Sequence, residues 1–156
     1  TKGLLLTISL IFAISTVVKA NSPHKTIEEN IFAAIKNIDY VSINVLLSDG
    51  TDVDTVDQEG NTPLMVAAKV GNLRILDIIF SHNPEVNAQN NNGSTALMIA
   101  AQTGQLQVVK KLVENGAEAA LRDNNDNTAL TLASKFGHDK IVSYLKTLRT
   151  QGTLAK

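Results

Sequence analysis

No cysteine occurs in the 156 residues, which excludes disulfides, thiolate metal sites and a cysteine nucleophile. Nor is there a surplus of positive charge: a formal net charge of −1 leaves no basic footprint for nucleic acid. Histidine is scarce and scattered. His24, His82 and His138 fall in a linker, a turn and a helix start, and no two share a ligand spacing, so neither a zinc site nor a catalytic histidine is expected. No nucleophile–base pair, phosphate loop or metal cluster stands out. The chain is therefore expected to be non-enzymatic and to need no cofactor and no metal. What the composition does allow is a packed core, since 44% apolar and 19% charged residues suit one folded domain rather than a disordered chain.

The longest apolar run, residues 3–18, follows Lys2 and ends in Val17-Val18-Lys19-Ala20. Its 16 residues include four hydroxyl side chains, short for a helix that spans a bilayer. A basic start, an apolar stretch and small residues at Val18 and Ala20 are the layout of a secretory signal peptide cut after Ala20. On that reading residues 1–20 are a signal peptide, the true start lies one residue upstream of Thr1, and the mature chain is periplasmic or secreted. Loss of Lys2 and Lys19 takes the net charge to −3. The alternative is an uncleaved membrane anchor. Residues 21–26, with Pro23, read as a polar linker.

What the chain has in abundance is repetition. Three segments superimpose at a period of 33 residues: Asp57-Gln58-Glu59-Gly60-Asn61-Thr62-Pro63-Leu64 through Gly71, Asn90-Asn91-Asn92-Gly93-Ser94-Thr95-Ala96-Leu97 through Gly104, and Asp123-Asn124-Asn125-Asp126-Asn127-Thr128-Ala129-Leu130 through Gly137. Such a period signals stacked units, none of which buries its apolar face alone. Within the unit, Thr62 is placed to cap a helix and Pro63 suits the first helical position, which needs no amide donor. Leu64, Ala67 and Ala68 then share a face, and two alanines allow a neighbouring helix to approach closely. Gly71 ends that helix by turning left-handed. An outer helix over about 73–80 turns Ile75, Leu76, Ile79 and Phe80 inward. The next unit repeats this with Leu106, Val108, Val109, Leu112 and Val113. In the last, Ile141, Val142 and Leu145 face the neighbour, while Lys140, Ser143 and Lys146 meet water. A degenerate first unit, with Ile31, Ala34, Ile35, Ile43, Leu46 and Leu47, lacks the Thr and Gly signals, as a terminal cap commonly does. Residues 149–156 carry no apolar period and are expected to fray.

The run Gly60-Asn61-Thr62-Pro63-Leu64-Met65-Val66-Ala67-Ala68-Lys69-Val70-Gly71, together with Asn115-Gly116-Ala117 and Glu85-Val86-Asn87-Ala88, closely resembles the ankyrin repeat. The resemblance covers residues 27–148, with repeats at about 27–56, 57–89, 90–122 and 123–148. It implies an all-α solenoid of about four helix-turn-helix repeats, with turn tips projecting from one edge. The chain departs from the pattern in places. Met65, Met98 and Thr131 stand where the family usually has His, so its capping network is absent or altered. Ala96 and Ala129 replace Pro, Asp126 replaces Gly, and Asn83-Pro84 replaces Gly-Ala.

The resemblance further implies a monomeric protein-binding module that captures its partner on the turn tips and the concave face of the inner helices. Carried over by position, the tips are Gln58, Glu59 and Asn61; Asn91, Asn92 and Ser94; and Asn124, Asn125 and Asn127. The groove positions are Lys69 and Val70, Gln102 and Thr103, and Lys135 and Phe136, to which the first unit adds Lys36, Asn37 and Tyr40. The roles open to such a module include adaptor, secreted effector, and inhibitor or immunity-type partner of an enzyme. A membrane-anchored structural adaptor is the rival if residues 1–20 are retained. Two readings stay open for Phe136, which is either an exposed interface anchor or packing against the C-terminal cap. The asparagines of the tips serve tight turns, recognition, or both. Asp123, Asn125 and Asn127 alternate as in a calcium loop, but Thr128 stands where that loop needs Gly and Ser134 where it needs Glu. Asn92-Gly93-Ser94 matches a glycosylation acceptor and reads as chance.

Overall fold

The computed structural model describes residues 31–154, of which those after Arg149 are described as backbone only. The apolar run, the cleavage position and the linker of the sequence reading lie outside the described residues. Eight helices and no strand are found among the described residues. They are α1 (31–36), α2 (Tyr40–Ser48), α3 (Pro63–Val70), α4 (Leu73–Phe80), α5 (Ala96–Gln102), α6 (Leu106–Glu114), α7 (Ala129–Lys135) and α8 (Asp139–Leu154). None is long and apolar enough to cross a membrane.

The helices form two layers. The inner helices α3, α5 and α7 lie side by side, and each packs against the outer helix that follows it. Small side chains decide which layer is tighter. Ala67, Ala68, Ala100, Ala101 and Ala133 are buried at the inner seam, where alanine lets helix axes come within about 8 Å, the short end of ordinary helix packing. The outer layer spans its wider gap with Ile75, Leu76, Ile79, Val108, Val109, Leu112, Ile141 and Leu145, all buried. Phe80 and Val113 are only half-buried and cover the margin of that core.

Each of the three inner helices α3, α5 and α7 starts on a threonine in extended conformation. Oγ1 of Thr62, Thr95 and Thr128 accepts from the amide of Met65, Met98 and Thr131 at 3.4, 3.3 and 3.3 Å. In the last repeat Thr131 also accepts from the Thr128 amide at 2.7 Å, closing a reciprocal capping box. The altered capping network is thus rebuilt by a hydroxyl there, while the two methionines are buried in the core.

Gly71 ends α3 at φ 79°. The first repeat has no such glycine: Ile38, one period earlier, is itself left-handed at φ 57° and 43% exposed. A β-branched residue in that region is strained, so the degenerate unit keeps its turn at a local cost. Asn83 and Asp126 hold the other two left-handed non-glycine positions, which their short polar side chains tolerate. The segment expected to fray is helical as far as Leu154. No proline or glycine interrupts 139–151, so nothing forces the last helix to stop where its apolar period does.

Candidate functional site

The turn tips are built first by carboxylate and amide side chains that bond to their own loop. Asp57 Oδ1 accepts from the amides of Glu59 and Asn61 at 2.9 and 2.8 Å. Asn90 does the same for Asn92 and Ser94, and Asp123 for Asn125 and Asn127. The first side-chain oxygen thereby replaces a backbone acceptor in each tip. Partial burial works against the Asp123 carboxylate, but its bonds from Asn127 and Asn125 and the charge of Lys135 outweigh that and hold its pKa below the usual carboxylate range. Both Asp123 oxygens are occupied by these donors, so the alternation that invites a calcium reading is accounted for by turn formation.

Successive tips are then tied to one another. The Asn91 amide donates to Glu59 O at 3.1 Å and its side chain to Gln58 O at 3.2 Å. One period on, the Asn124 amide donates to Asn92 O and its side chain to Asn91 O, both at 3.0 Å. Asn90 Nδ2 donates to Asn61 Oδ1 at 2.8 Å. A parallel ladder joins the repeat endings, where Asp54 Oδ1 accepts from the Glu85 amide and Asn87 Oδ1 from the Glu118 amide, each at 2.9 Å. Asn91, Asn124 and Asn127 therefore spend their side chains on the scaffold. Asn92 forms no side-chain bond among the described residues and stands exposed at a tip.

Between tips and inner helices lies an open cavity of about 430 Å³. The second repeat lines it with Glu59, Asn61, Met65, Val66 and Lys69, and the third with Asn90, Asn92, Ser94, Ile99, Gln102 and Thr103. The fourth contributes Phe136. Eight of the residues carried over from sequence thus meet in one groove: Glu59, Asn61, Lys69, Asn92, Ser94, Gln102, Thr103 and Phe136. Outside its lining are Gln58, Val70, Asn91, Asn124, Asn125, Asn127 and Lys135. Val70 is half-buried against the core. Phe136 caps the end of α7 and is 47% exposed, which places it at the groove rather than beneath α8. Val66 and Ile99 belong to the groove and were not among the positions inferred from sequence. They lie one turn before Lys69 and Gln102, and that spacing is the signal that finds them.

Side chains from one repeat also pack on the helix-ending glycine of the repeat before it. The Gln105 side chain covers Gly71 so closely that a Cβ there would come within 2.6 Å of it, and His138 covers Gly104 at 2.7 Å. His138 Nε2 lies 2.9 Å from Gln102 O. His138 thus ties the fourth repeat to the backbone of a groove position in the third. Among the described residues no group of His, Asp and Glu is arranged to hold a metal ion.

No curated protein matches this chain. The family model describing ankyrin repeats in three copies matches residues 31–123 and again 78–152. Helix pairs, threonine caps, left-handed glycines and tied tips over that same span agree with it, and the chain belongs to the ankyrin repeat family.

Proposed function

We propose that this protein captures a partner protein, as a monomer, in the groove between its tips and inner helices. Ankyrin repeats are generally protein–protein interaction modules and typically non-enzymatic. The observation that carries the reading is the convergence of three repeats on one cavity, with the half-exposed Phe136 ring at its end. Exposed aromatic side chains with a polar surround are the usual anchors of interfaces. The tips are held by their own hydrogen bonds before any partner arrives, so association orders little and less binding energy is lost to conformational entropy.

The experiment is a comparison of baits. Wild-type protein and the variant Phe136→Ala are immobilised in parallel and challenged with native extract, and retained proteins are quantified by mass spectrometry. A protein held by wild type and depleted at least about tenfold by the variant supports the reading. Retention of the same proteins in the same amounts by both baits removes Phe136 and its groove from the interface. We also propose export: the run over 3–18 and the Val18-Lys19-Ala20 ending favour cleavage after Ala20 and a periplasmic or secreted module. A mature N-terminus at Asn21 is the expected result of Edman sequencing, and retention of residues 1–20 would instead favour an anchored adaptor.

A further inference from the structure

The ionic character of the inner helices, which carry Lys69 in the groove lining and Lys36 and Lys135 at the same slot of the flanking repeats, differs from that of the rest of the chain. The net charge is −1, with 15 carboxylate residues, yet none of those carboxylates lies on α1, α3, α5 or α7. The charged side chains of the inner helices are Lys36, Lys69 and Lys135, which occupy the same slot at the end of α1, α3 and α7. Gln102 fills that slot in α5. All four are exposed. The ion pairs Lys111–Asp77 and Arg122–Asp126 lie on the outer helices and at the tip of the fourth repeat, and neither involves a lysine of this row. Lys135 feels Asp123 at a distance. The carboxylate in the groove lining, Glu59, belongs to a tip rather than to an inner helix, and its Oε2 accepts from Asn61 Nδ2 at 3.1 Å. With packed helix axes about 8–10 Å apart, the slots of Lys69 and Lys135, two helices apart, are separated by roughly 16–20 Å.

We infer that the segment captured by this groove is acidic, with carboxylates along the lysine row and an apolar side chain seated on Phe136 and Ile99. The inference rests on the proposed function and adds the chemistry of the partner to it. Opposite charge along a groove steers encounter and fixes the direction of the bound segment, while a like-charged segment is penalised. The apolar contact then supplies most of the residence time. A basic segment that leaves the groove along the inner helices would meet like charge at Lys69 and again at Lys36 or Lys135, and a purely apolar one would leave that charge uncompensated.

The test uses the full chain against a random 12-residue phage-displayed peptide library, which imposes no partner in advance. The expected consensus is two or more Asp or Glu flanking a Leu, Ile, Phe or Met. Synthetic peptide of that consensus should lose at least about tenfold in affinity against Lys69→Gln/Lys135→Gln and more against Lys69→Glu/Lys135→Glu. Glutamine is the side chain already accepted at position 102, so the first variant keeps the fold. Raising salt from about 0.05 to about 0.5 M should weaken binding by a similar factor, because the pairs are exposed. Neutral or basic peptides that are lost with Phe136→Ala would overturn the acidic assignment while leaving the groove as the binding site. Peptides indifferent to Phe136→Ala and to both lysine variants would overturn the groove reading itself. Failure to enrich any sequence counts against the acidic segment.

Discussion

Two glycine substitutions separate backbone strain from the contact that ties the tips together. Gly93 and Gly116 are both left-handed, at φ 72° and 92°. A Cβ at Gly116 would meet nothing within 4 Å, whereas one at Gly93 would lie 2.6 Å from Asn124 Oδ1 and 2.9 Å from the Asn124 backbone nitrogen. Alanine in the left-handed region costs about 1–2 kcal/mol, of which about 0.4–1 kcal/mol is returned because alanine has less freedom to lose on folding. Gly116→Ala should therefore destabilise by about 1 kcal/mol. Gly93→Ala bears the same strain and an overlap that side-chain rotation cannot relieve, because the obstructing nitrogen is itself bonded to Asn92 O. Overpacking of that kind adds about 1–3 kcal/mol. Urea unfolding followed by circular dichroism, with the fluorescence of Tyr40 and Tyr144 reporting the first and last repeats, measures both. For a slope of about 1–3 kcal/mol per M, the Gly93 variant should unfold roughly 1 M earlier than the Gly116 variant. Equal midpoints would mean that neighbouring tips do not approach as closely as described, and that the ladder from Asn91 to Asn124 contributes nothing to register.

Two further outcomes are expected. Leu97→Ala, at a residue 1% exposed between repeats, should lose about 2–5 kcal/mol in the same urea assay; a loss under about 1 kcal/mol would mean that the site collapses freely and that the third repeat is misplaced. Asp123 has a folded pKa held below its unfolded value, so its contribution is complete above about pH 4 and disappears as pH falls through the lower folded value. Asn90 fills the equivalent place and accepts the equivalent amides, so Asp123→Asn should leave Tm at pH 7 near wild type and flatten the acid side of a Tm–pH curve. An unchanged acid side would show that this carboxylate is not linked to folding.

The second and third repeats were legible because each of their signals has one dominant physical reading. A threonine before Pro-Leu or Ala-Leu caps, paired alanines admit a neighbour, and Gly71 or Gly104 stops. The first repeat was legible only as apolar positions. Ile38 gives no local signal for a left-handed turn, and the structure makes one there against the residue's preference, an instance of packing prevailing over propensity. Groove residues were found at the slots of Lys69, Gln102, Thr103 and Phe136, where polar or aromatic side chains sit at the end of an otherwise apolar helix. Val66 and Ile99 were missed for the converse reason, since an apolar residue on an inner helix reads as core whether or not one edge of it faces the groove. The asparagines of the tips could not be sorted by type. Asn91 and Asn124 differ from Asn92 only in having an acceptor one period away, and that is a property of stacking rather than of the local segment.

Stability and the proposed recognition therefore use different positions of the same repeat. The slot after the lysine row holds Val70, Thr103 and Phe136 in turn. Val70 packs on the core, Thr103 Oγ1 donates to Ile99 O of its own helix at 2.8 Å, and Phe136 faces the groove. One backbone position thus carries three side chains with three fates, because the turn that follows is made by the next glycine and the helix is held from its threonine end. Threonine, leucine, alanine and glycine vary only at the cost of a cap, a seam or a turn, as Ile38 does at the glycine slot, whereas the lysine slot and its neighbour supply none of the three. On the proposed reading, a repeat built this way would change what it binds by changing two residues at the end of an inner helix. In this chain those two residues are most distinctive in the fourth repeat, where Lys135 and Phe136 stand together.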